Sequence, residues 1–584
     1  MRSLFIIFVA VLIVVLPLLL RRVPEPGEWR TGDPELVIVT PHNEAFRQEF
    51  ADGFSRWHRE KFGRPVKIDW RVIGGTTEIM RYLASEYCAS AKHYFLAQNR
   101  PWPPNGADLI LARKQPDTGS GADCGALWGL FRSVDSPEKI SCRMDLFFGG
   151  GVYDHDKAEK QGLTVPAWGD APPPQGLFED AEGRVLIPRE WNGEVWRGKA
   201  FYGSVLSAFG ICYNADRLAD LGIMQPPAAW EDLADARYFG QLGLVDPTKS
   251  GSVAKAFEMI IQEQSAKTVA QAGFTREQLR RYEDAIAAAK QHENKLPSEV
   301  PPAYQEAVAR GWQDGIRLVR RIGANARYFT DASGKVPVDV GMGAAAAGIA
   351  IDFYGRLQAE LSSLPGGRPV MTYVTPMGGS SVTADPVSLL RGAPHRDLAV
   401  RFIEFLLGED GQRLWNYRVG TPGGPRRFAL RRLPIRRDFY PSEDPALQRV
   451  FETHRPYLAD PLWQPETDAY RLGAVFHYEP RWTATHFGIQ RDLIRAMCMD
   501  SGDELKRAWR AIMAHGGPSQ NPEAMRLLEA LPDRPYPLTW SSAIGAYAKM
   551  PRMEILRVWT AFFREQYRLA EAAAKTVEQR TAER

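Results

Sequence analysis

The chain has 584 residues, 44% hydrophobic and 24% charged, which is long enough to bury a large core in two or more domains. Lysine and arginine total 73 against 70 acidic residues, so the formal net charge is only +3. This balance, with no basic cluster interleaved with aromatic residues, argues against a nucleic-acid partner. Five cysteines are too few for a disulfide scaffold and form no C-x-x-C zinc spacing, although one bridge among Cys88, Cys124 and Cys142 stays open.

The amino terminus differs from this average composition. Seventeen consecutive residues, from Leu4 to Leu20, carry no charge, and a helix of that length, at about 1.5 Å per residue, is just long enough to cross a bilayer. No small-x-small cleavage site follows the run, which ends at Arg21 and Arg22, so an uncleaved anchor is favoured over a cleaved signal peptide. We predict a transmembrane anchor at residues 1–22 and a Pro/Gly-punctuated linker at 23–34.

Short strands then alternate with amphipathic helices along the chain. The runs ELVIVT, VKIDWRV, ADLILA, MDLFFGGG and LGLVD predict strands, and the first leads into a helix with aromatic residues from Phe46 to Trp57 on one face. Helical patterns dominate residues 277–321 and again beyond Arg396, and AAAAGIAIDFYG predicts one more buried strand. This alternation indicates an α/β protein with a largely parallel sheet.

Small and polar residues stand where three strands meet their helices. They are Pro41-His42-Asn43, Gly74 to Thr77, and Thr248 to Ser252. A helix start leaves backbone N–H groups unpaired and carries about half a positive charge, and small residues let a ligand approach that backbone. Serine and threonine are also ordinary N-caps, so each segment alone has a purely structural explanation. Three such segments in one chain favour a shared cleft for a negatively charged ligand.

Signatures of catalysis are missing from the sequence. It contains no G-x-x-x-x-G-K-[ST], no H-E-x-x-H and no G-x-S-x-G, and its ten histidines form no acid–histidine–nucleophile set. The run PTKSGS is therefore not a nucleotide-binding P-loop. We expect no enzyme activity, no catalytic residue and no cofactor.

The stretch ELVIVTPHNEAFRQEFADGFSRWH, followed by VKIDWRVIGGTTEIMRYL, resembles the start of extracellular solute-binding proteins of bacterial ABC importers, in the ferric-iron-binding-like branch. MDLFFGGG, SVLSAFGICYN, WEDLADARYFGQLGLVDPTKSGS and FIEFLLGEDGQRLW continue the resemblance in order, from about Leu36 to Pro425. It implies the type II periplasmic-binding-protein fold, in which two α/β lobes joined by crossover hinge strands close on a ligand. It also implies delivery to a membrane permease driven by a separate ATPase.

The resemblance suggests a division of the chain. We predict the first part of lobe 1 at residues 35–205, lobe 2 at 206–350, and the second crossover with the remaining lobe elements at 351–430. Residues 431–584 exceed what compact binding proteins need and are predicted as a mostly helical C-terminal extension. With the anchor, this gives a bacterial membrane protein tethered by a single pass, with the bulk of the chain in the periplasm or extracytoplasmic space.

The resemblance also implies ligand-contacting positions. His42 stands where ferric binders place a metal-ligating histidine, but the adjacent tyrosines that follow in those proteins are replaced here by Asp352 and Tyr354, so a ferric site would use these three residues. The segment Thr248 to Ser252 occupies the family's anion-binding helix start. The predicted ligand-binding set is His42, Gly75, Thr76, Thr77, Ser207, Thr248, Ser250, Gly251, Ser252, Asp352 and Tyr354.

The predicted function is the capture of a small ligand, either ferric iron or a small anionic or phosphorylated solute, for an ABC permease and its ATPase. Ferric iron would be a transported ligand and not a cofactor. No bond is made or broken, because the mechanism is a population shift from open to closed lobes. Two alternatives stay open: an enzyme on a similar two-lobe frame, and a ligand-sensing ectodomain that passes nothing to a transporter.

Overall fold

The computed structural model describes residues 29–116, 122–289, 297–363, 368–534 and 536–582. The predicted membrane anchor at residues 1–22 lies outside these ranges. Within them, we find no helix that combines the length and the apolar character needed to span a bilayer. Cys88, Cys142, Cys212 and Cys498 are free thiols, and the side chain of Cys124 lies outside the described part.

The strands are short and mostly buried. In chain order they are β1 (Glu35–Val39), β2 (Lys67–Arg71), β3 (Leu146–Phe148), β4 (Thr164–Val165), β5 (Glu190–Trp191), β6 (Glu194–Val195), β7 (Tyr202–Ser207), β8 (Phe209–Asn214), β9 (Leu242–Val245), β10 (Ala326–Thr330), β11 (Ala347–Ile351), β12 (Met371–Val374), β13 (Thr383–Leu390) and β14 (Leu433–Pro434). The predicted strands at ELVIVT, VKIDWRV, MDLFFGGG, LGLVD and AAAAGIAIDFYG are confirmed.

The helices follow the strands in the alternation that the sequence predicts. They are α1 (Glu44–Phe62), α2 (Thr76–Ala97), α3 (Gly106–Leu111), α4 (Ala122–Ser133), α5 (Val152–Gln161), α6 (Ala215–Asp220), α7 (Gly251–Gln271), α8 (Arg276–Ala289), α9 (Pro302–Ala324), α10 (Lys335–Gly341), α11 (Asp352–Leu361), α12 (Arg396–Leu407) and α13 (Glu409–Asn416). The C-terminal part adds α14 (Pro445–His454), α15 (Ala469–Val475), α16 (Pro480–Thr483), α17 (Phe487–Ile494), α18 (Gly502–Ala514), α19 (Pro522–Leu528), α20 (Ala543–Lys549) and α21 (Arg552–Ala582).

Two mixed sheets form the centres of two lobes. The sheet of lobe 1 has the order β14-β7-β13-β3-β1-β2, with β4 also paired to β13, and β1 runs parallel to both of its neighbours. The sheet of lobe 2 has the order β10-β9-β11-β8-β12, with β9 parallel to β10 and β11. The prediction of two α/β lobes is confirmed. In both sheets a parallel part ends where helices begin, and that edge is where ligands bind in open sheets.

One predicted strand is wrong. The run ADLILA forms the helix α3, in which Leu109 and Ile110 are buried. A short apolar run has the same composition in a buried strand and in a buried helical turn, so periodicity cannot separate them. The carbonyl groups at the end of α3 accept hydrogen bonds from the Arg132 guanidinium, to Ile110 O at 2.9 Å and to Ala112 O at 2.8 Å. This distant partner satisfies a helix end that the local sequence does not cap.

The described chain passes between the lobes three times. The first passage joins β7 to β8 at Ala208, and the second joins β12 to β13. The third lies just after α15, where Tyr478 N donates to Asn192 O at 3.0 Å and Asn192 Nδ2 donates to Gly473 O at 2.7 Å. We refer to residues 29–207 and 383–475 as lobe 1, and to residues 209–374 and 476–582 as lobe 2.

The predicted C-terminal extension is divided between the lobes. Aromatic residues up to Tyr470 join the core of lobe 1, whereas residues from Phe476 onward share one continuous core with lobe 2. Arg320 of α9 shows how close this second association is, because it is fully buried, lies over the Phe563 ring and donates to the backbone carbonyl of Leu528. Residues 476–582 are therefore an integral part of lobe 2.

Candidate ligand-binding cleft

A cavity of about 640 Å³ lies between the lobes, at the ends of the parallel strands. Both lobes line it, and so does the C-terminal part of lobe 2 through Tyr478, Pro480, Ala484 and Phe487. Eight of the predicted residues also line it: His42, Gly75, Thr76, Ser207, Ser250, Gly251, Ser252 and Tyr354. Segments separated by up to about three hundred residues in sequence therefore face one common space.

Several helices begin at this cavity, and three of them start at glycine or serine residues that line it. They are α2, whose N-cap is Gly75, α5, which follows Gly149-Gly150-Gly151, and α7, whose N-cap is Ser250. Gly75 and Gly151 provide no side-chain cap, so the first amides of α2 and α5 keep their donors free. These unpaired N–H groups and the helix dipoles favour an anion at this wall, and the carboxyl groups of Glu78 and Asp154 in the first turns of α2 and α5 oppose that preference.

The Thr248 to Ser252 segment combines a turn with a helix start. Asp246 Oδ1 accepts hydrogen bonds from Thr248 N and Thr248 Oγ1, both at 2.7 Å, which tightens the turn and keeps Thr248 out of the cavity lining. Ser250 Oγ accepts from Val253 N at 3.3 Å and so acts as an ordinary N-cap. Gly251 and Ser252 line the cavity beside it. Within this segment Thr248 serves the turn, Ser250 both caps the helix and lines the cavity, and Gly251 and Ser252 line the cavity.

The start of α2 in lobe 1 and the start of α7 in lobe 2 contact each other across the cleft. A Cβ atom at Gly75 would lie 2.8 Å from the backbone oxygen of Lys249, and one at Gly251 would lie 3.0 Å from Asp154 Oδ2. The glycines of MDLFFGGG permit a similar approach within lobe 1, since Gly150 has a φ of +95° and a Cβ there would meet Thr76 at 2.0 Å. Small residues at these positions allow the lobes to come into contact.

His42 is held as a neutral, hydrogen-bonded ring. Its Nδ1 lies 2.7 Å from Thr40 Oγ1, and its Nε2 lies 3.3 Å from Arg432 Nη1. Because a guanidinium can only donate, Nε2 accepts and Nδ1 carries the proton. Burial, with the nearby charge of Arg432, lowers the pKa of His42 well below its usual value. Both ring nitrogens are therefore already engaged.

The structure does not bring the three predicted ferric ligands together as free donors. Asp352 is fully buried, does not line the cavity and pairs with Arg356 at 3.0 Å. Tyr354 does line the cavity, but burial raises the pKa of its phenol, which disfavours a phenolate. Among the residues that the structure describes, no group of three or more histidine, cysteine or acidic side chains could hold a metal ion. Only His42 and Tyr354 of the set face the cavity.

Thr77 has a different role from the predicted one. It lies one residue inside α2 and does not line the cavity. Its hydroxyl accepts a hydrogen bond from Arg491 Nη2 at 3.0 Å. The prediction treated Gly75, Thr76 and Thr77 as one ligand-facing group, but successive helical residues point in different directions, so the third faces a different partner.

A buried ionic cluster that the sequence analysis missed forms another part of the cavity wall. Lys255 Nζ lies 2.8 Å from Glu194 Oε1 and 3.0 Å from Glu258 Oε2. The same ammonium lies 3.6 Å from the centre of the Tyr478 ring, whose hydroxyl donates to Glu258 at 2.6 Å. Lys255 stands four residues after Gly251, on the same helix face, and that spacing was a usable signal. No local signal links it to Glu194 or Tyr478.

Arg432 forms a second missed cluster at the back of the cavity. It donates to Ser207 Oγ at 2.7 Å, pairs with Asp385, and stacks over Phe353 with its guanidinium carbon 4.2 Å from the ring centre. Its side chain is only 3% exposed. Burial raises the pKa of Asp385, and the contact with Arg432 opposes that rise. Ser207 and Asp385 both line the cavity, so the Arg432 cluster forms part of the cavity wall through them.

Residues 197–439 match the sequence model of a family described as bacterial extracellular solute-binding protein. The predicted resemblance to extracellular solute-binding proteins is confirmed. An uncharacterized protein of Haemophilus influenzae is 26% identical over 132 residues, which make up 23% of this chain and 35% of that protein. The chain thus matches about a third of the length of this curated relative.

The solved structures that the chain matches include binding proteins of transporters, at low identity and low TM-score. The periplasmic binding protein AfuA of Actinobacillus pleuropneumoniae, solved with fructose 6-phosphate, is 16% identical, with 65% of this chain and 81% of that chain covered and a TM-score of 0.40. Iron-bound HitA of Pseudomonas aeruginosa is 15% identical, with 79% and 99% covered and a TM-score of 0.39. PotD of Streptococcus pneumoniae, from a spermidine/putrescine ABC transporter, is 13% identical, with 79% and 99% covered and a TM-score of 0.40.

Proposed function

We propose that this protein is an extracytoplasmic solute-binding protein that captures a small anionic solute, carrying a phosphate or carboxylate group, between its two lobes for an ABC importer. The observation that carries the proposal is the meeting of helix starts from both lobes, at Gly75 and Gly251, on one cavity of about 640 Å³. Free amides at helix starts bind anions by hydrogen bonds and by the helix dipole. A ligand that bonds to both lobes stabilises their closed arrangement.

The electrostatics favour an anion over ferric iron. A metal at His42 would have to displace Arg432, whose guanidinium already bonds to the available ring nitrogen and repels a cation. Asp352 is committed to Arg356 and faces away from the cavity. Ferric iron prefers several anionic oxygen ligands, and the described lining does not gather a free set of them.

The carboxylates that line the cavity do not oppose this proposal, because most are paired. Glu194 and Glu258 share Lys255, and Asp385 pairs with Arg432. Asp156 pairs with Lys160 at 2.6 Å. Burial also raises the pKa of Glu194, which favours its uncharged form and reduces the charge of the two glutamates that share Lys255.

The same pairing supports a binding role over a catalytic one. A general acid or base must present its titrating atom to the substrate, and the buried titratable side chains of this wall present theirs to each other. The transport partners, an ABC permease and its ATPase, follow from the family and not from the geometry. The apolar run from Leu4 to Leu20 supports a single-pass tether with the lobes outside the membrane.

Calorimetric titration of the purified protein with inorganic phosphate, fructose 6-phosphate, citrate, ferric chloride and spermidine tests the proposal. We expect a phosphorylated or carboxylated solute to bind and to raise the melting temperature. Binding of ferric chloride or spermidine with no response to any anion would contradict it, and so would phosphate-ester hydrolysis by the protein.

A charge substitution at Ser252 sharpens this test. Ser252 lines the cavity in the first turn of α7. Ser252→Asp places a carboxylate where the anion would bind, and we expect it to weaken binding at least tenfold, which corresponds to about 1.4 kcal/mol or more. The helix should not suffer, because an acidic residue in a first turn stabilises it. Ser252→Asn is the neutral control of equal size and should retain most of the affinity.

A further inference from the structure

We propose that Arg491 of the C-terminal segment fastens lobe 1 to lobe 2 at the two helix starts, and so acts as a positioning residue for ligand capture. This inference rests on the proposed closure of the lobes around a ligand, but the contacts that carry it are independent of the ligand's identity. It assigns a role to residues 476–582, which exceed what a compact two-lobe binding protein needs.

The Arg491 guanidinium reaches both lobes. Arg491 lies in α17, which packs on lobe 2, and its Nε donates to Pro247 O at 2.6 Å. Its Nη2 donates to Thr248 O at 3.0 Å and to Thr77 Oγ1 of lobe 1 at 3.0 Å. The planar fork of an arginine can satisfy several acceptors at once, which a lysine ammonium cannot do in the same geometry. One side chain thus connects the turn before α7 to the first turn of α2.

A second contact across the lobes lies one helical turn away. The Phe487 ring packs against Tyr153 of α5 in lobe 1, with ring centroids 4.8 Å apart. Phe487 and Tyr153 both line the cavity. The segment therefore contacts lobe 1 beside two helix starts that face the cavity, α2 through Arg491 and α5 through Phe487.

The helix that carries Arg491 is firmly attached to lobe 2. The next residue, Asp492, has a side chain only 2% exposed and accepts two hydrogen bonds from Arg552 and one from Tyr547, each at 2.6 Å. Leu493 and Ile494 belong to the continuous core of lobe 2. When the lobes separate, α17 therefore moves with lobe 2, and the contacts that break are those to Thr77 and Tyr153.

These contacts favour the closed arrangement directly. Hydrogen bonds that involve a charged donor are stronger than neutral ones, and the bond to Thr77 forms only when the lobes are together. Loss of this bond shifts the equilibrium toward open lobes and lowers the apparent affinity for a ligand that needs both lobes. A residue that served only lobe 2 would not have this effect.

Small-angle X-ray scattering and calorimetry on four proteins test the inference: wild type, Arg491→Gln, Thr77→Val and Arg507→Gln. Thr77→Val removes only the lobe 1 acceptor, and Arg507 is the control because it is half exposed and pairs with Glu504 and Glu571 of its own lobe. We expect Arg491→Gln to increase the radius of gyration and to weaken binding of inorganic phosphate or fructose 6-phosphate about tenfold. Thr77→Val should act in the same direction by a smaller factor, and Arg507→Gln should match wild type.

Wild-type dimensions for both Arg491→Gln and Thr77→Val would overturn the inference. If Arg491→Gln does not fold, Thr77→Val decides alone, and an unchanged radius of gyration for that variant also overturns it. The scattering comparison needs no ligand. A wild type that binds no anion would therefore refute the proposed function while the scattering result still tests the fastening by Arg491.

Discussion

The cavity has two kinds of wall, and they are built in different ways. The helix-start wall, at Gly75, Thr76, Ser250 and Gly251, consists of backbone amides exposed by small residues that stand next to one another in sequence. The ionic wall consists of Glu194, Lys255, Glu258 and Tyr478, together with Arg432 and Asp385, which come from distant segments and bond mainly to one another. The first wall therefore presents free backbone donors to a ligand, whereas the charged side chains of the second are engaged with each other.

Removal of Lys255 should have the largest effect on folding. Lys255→Met leaves Glu194 and Glu258 buried without their shared cation, and breaking a buried pair in this way costs about 3–5 kcal/mol. Denaturant unfolding measures the loss. The control is Lys249→Met, whose side chain is 44% exposed and 4.0 Å from Glu78, and which should change stability by less than about 0.5 kcal/mol. Equal stabilities for the two variants would mean that the ionic wall is not structural.

A smaller, pH-dependent effect on stability should come from His155, which bonds to the backbone of Gly149 just before α5. His155 is fully buried, stacks on Phe147, and bonds to Ser388 Oγ at 2.8 Å and to Gly149 O at 3.1 Å. Burial lowers its pKa from 6.5 to about 3. The unfolded chain therefore binds a proton below pH 6.5 that the folded protein does not bind, and stability is lost as the pH falls.

The variant His155→Gln isolates this contribution. Between pH 6.5 and pH 5 the wild-type histidine should cost about 2 kcal/mol of unfolding free energy, at about 1.36 kcal/mol per pH unit. The stability difference between wild type and His155→Gln should shrink by that amount when unfolding is measured at pH 5 instead of pH 7. The same substitution at His93, which is exposed on α2, is the matched surface control. A constant difference for His155→Gln would show that the buried ring titrates normally.

The smallest change tests the contact between the helix starts. Gly75→Ala adds one methyl group 2.8 Å from the Lys249 backbone oxygen of lobe 2, while the φ of −71° is ordinary for alanine. We expect unchanged stability and about a tenfold loss of affinity for the bound anion, because the lobes cannot close fully. Gly129→Ala is the matched control, since no atom lies within 4 Å of its added methyl group. Full affinity in Gly75→Ala would show that ligand binding does not depend on contact between the starts of α2 and α7.

The sequence predicted the helix-start wall because its signals are local. A buried strand, a break at small residues and a helical pattern follow one another within a few positions, as at Leu242 to Phe257. The α/β sheets followed from the same alternation, whereas the two lobes were predicted from the resemblance to solute-binding proteins. The run ADLILA misled the prediction because five apolar residues, interrupted only by Asp108, have no period that separates a strand from a helix, and Arg132 stabilises the helix end from a distance.

The ionic wall and the role of the C-terminal segment could not be predicted in this way. Nothing near Tyr478 indicates that it covers Lys255, and nothing near Arg432 indicates that it reaches His42. The position of Asp352 could not be predicted for the same reason, because its partner is Arg356 and only the fold shows that Asp352 does not line the cavity. Local sequence patterns predict the helices and strands, whereas pairing between distant charges depends on how those helices and strands pack.

A crystal structure of the protein grown with the anion that binds in the calorimetric titration tests the central claim most directly. The account predicts the phosphate or carboxylate group of that anion between the lobes, within hydrogen-bond distance of first-turn backbone amides of both α2 and α7. Density for the anion on an outer surface, or a cleft that binds iron through His42 and Tyr354 instead, would contradict it.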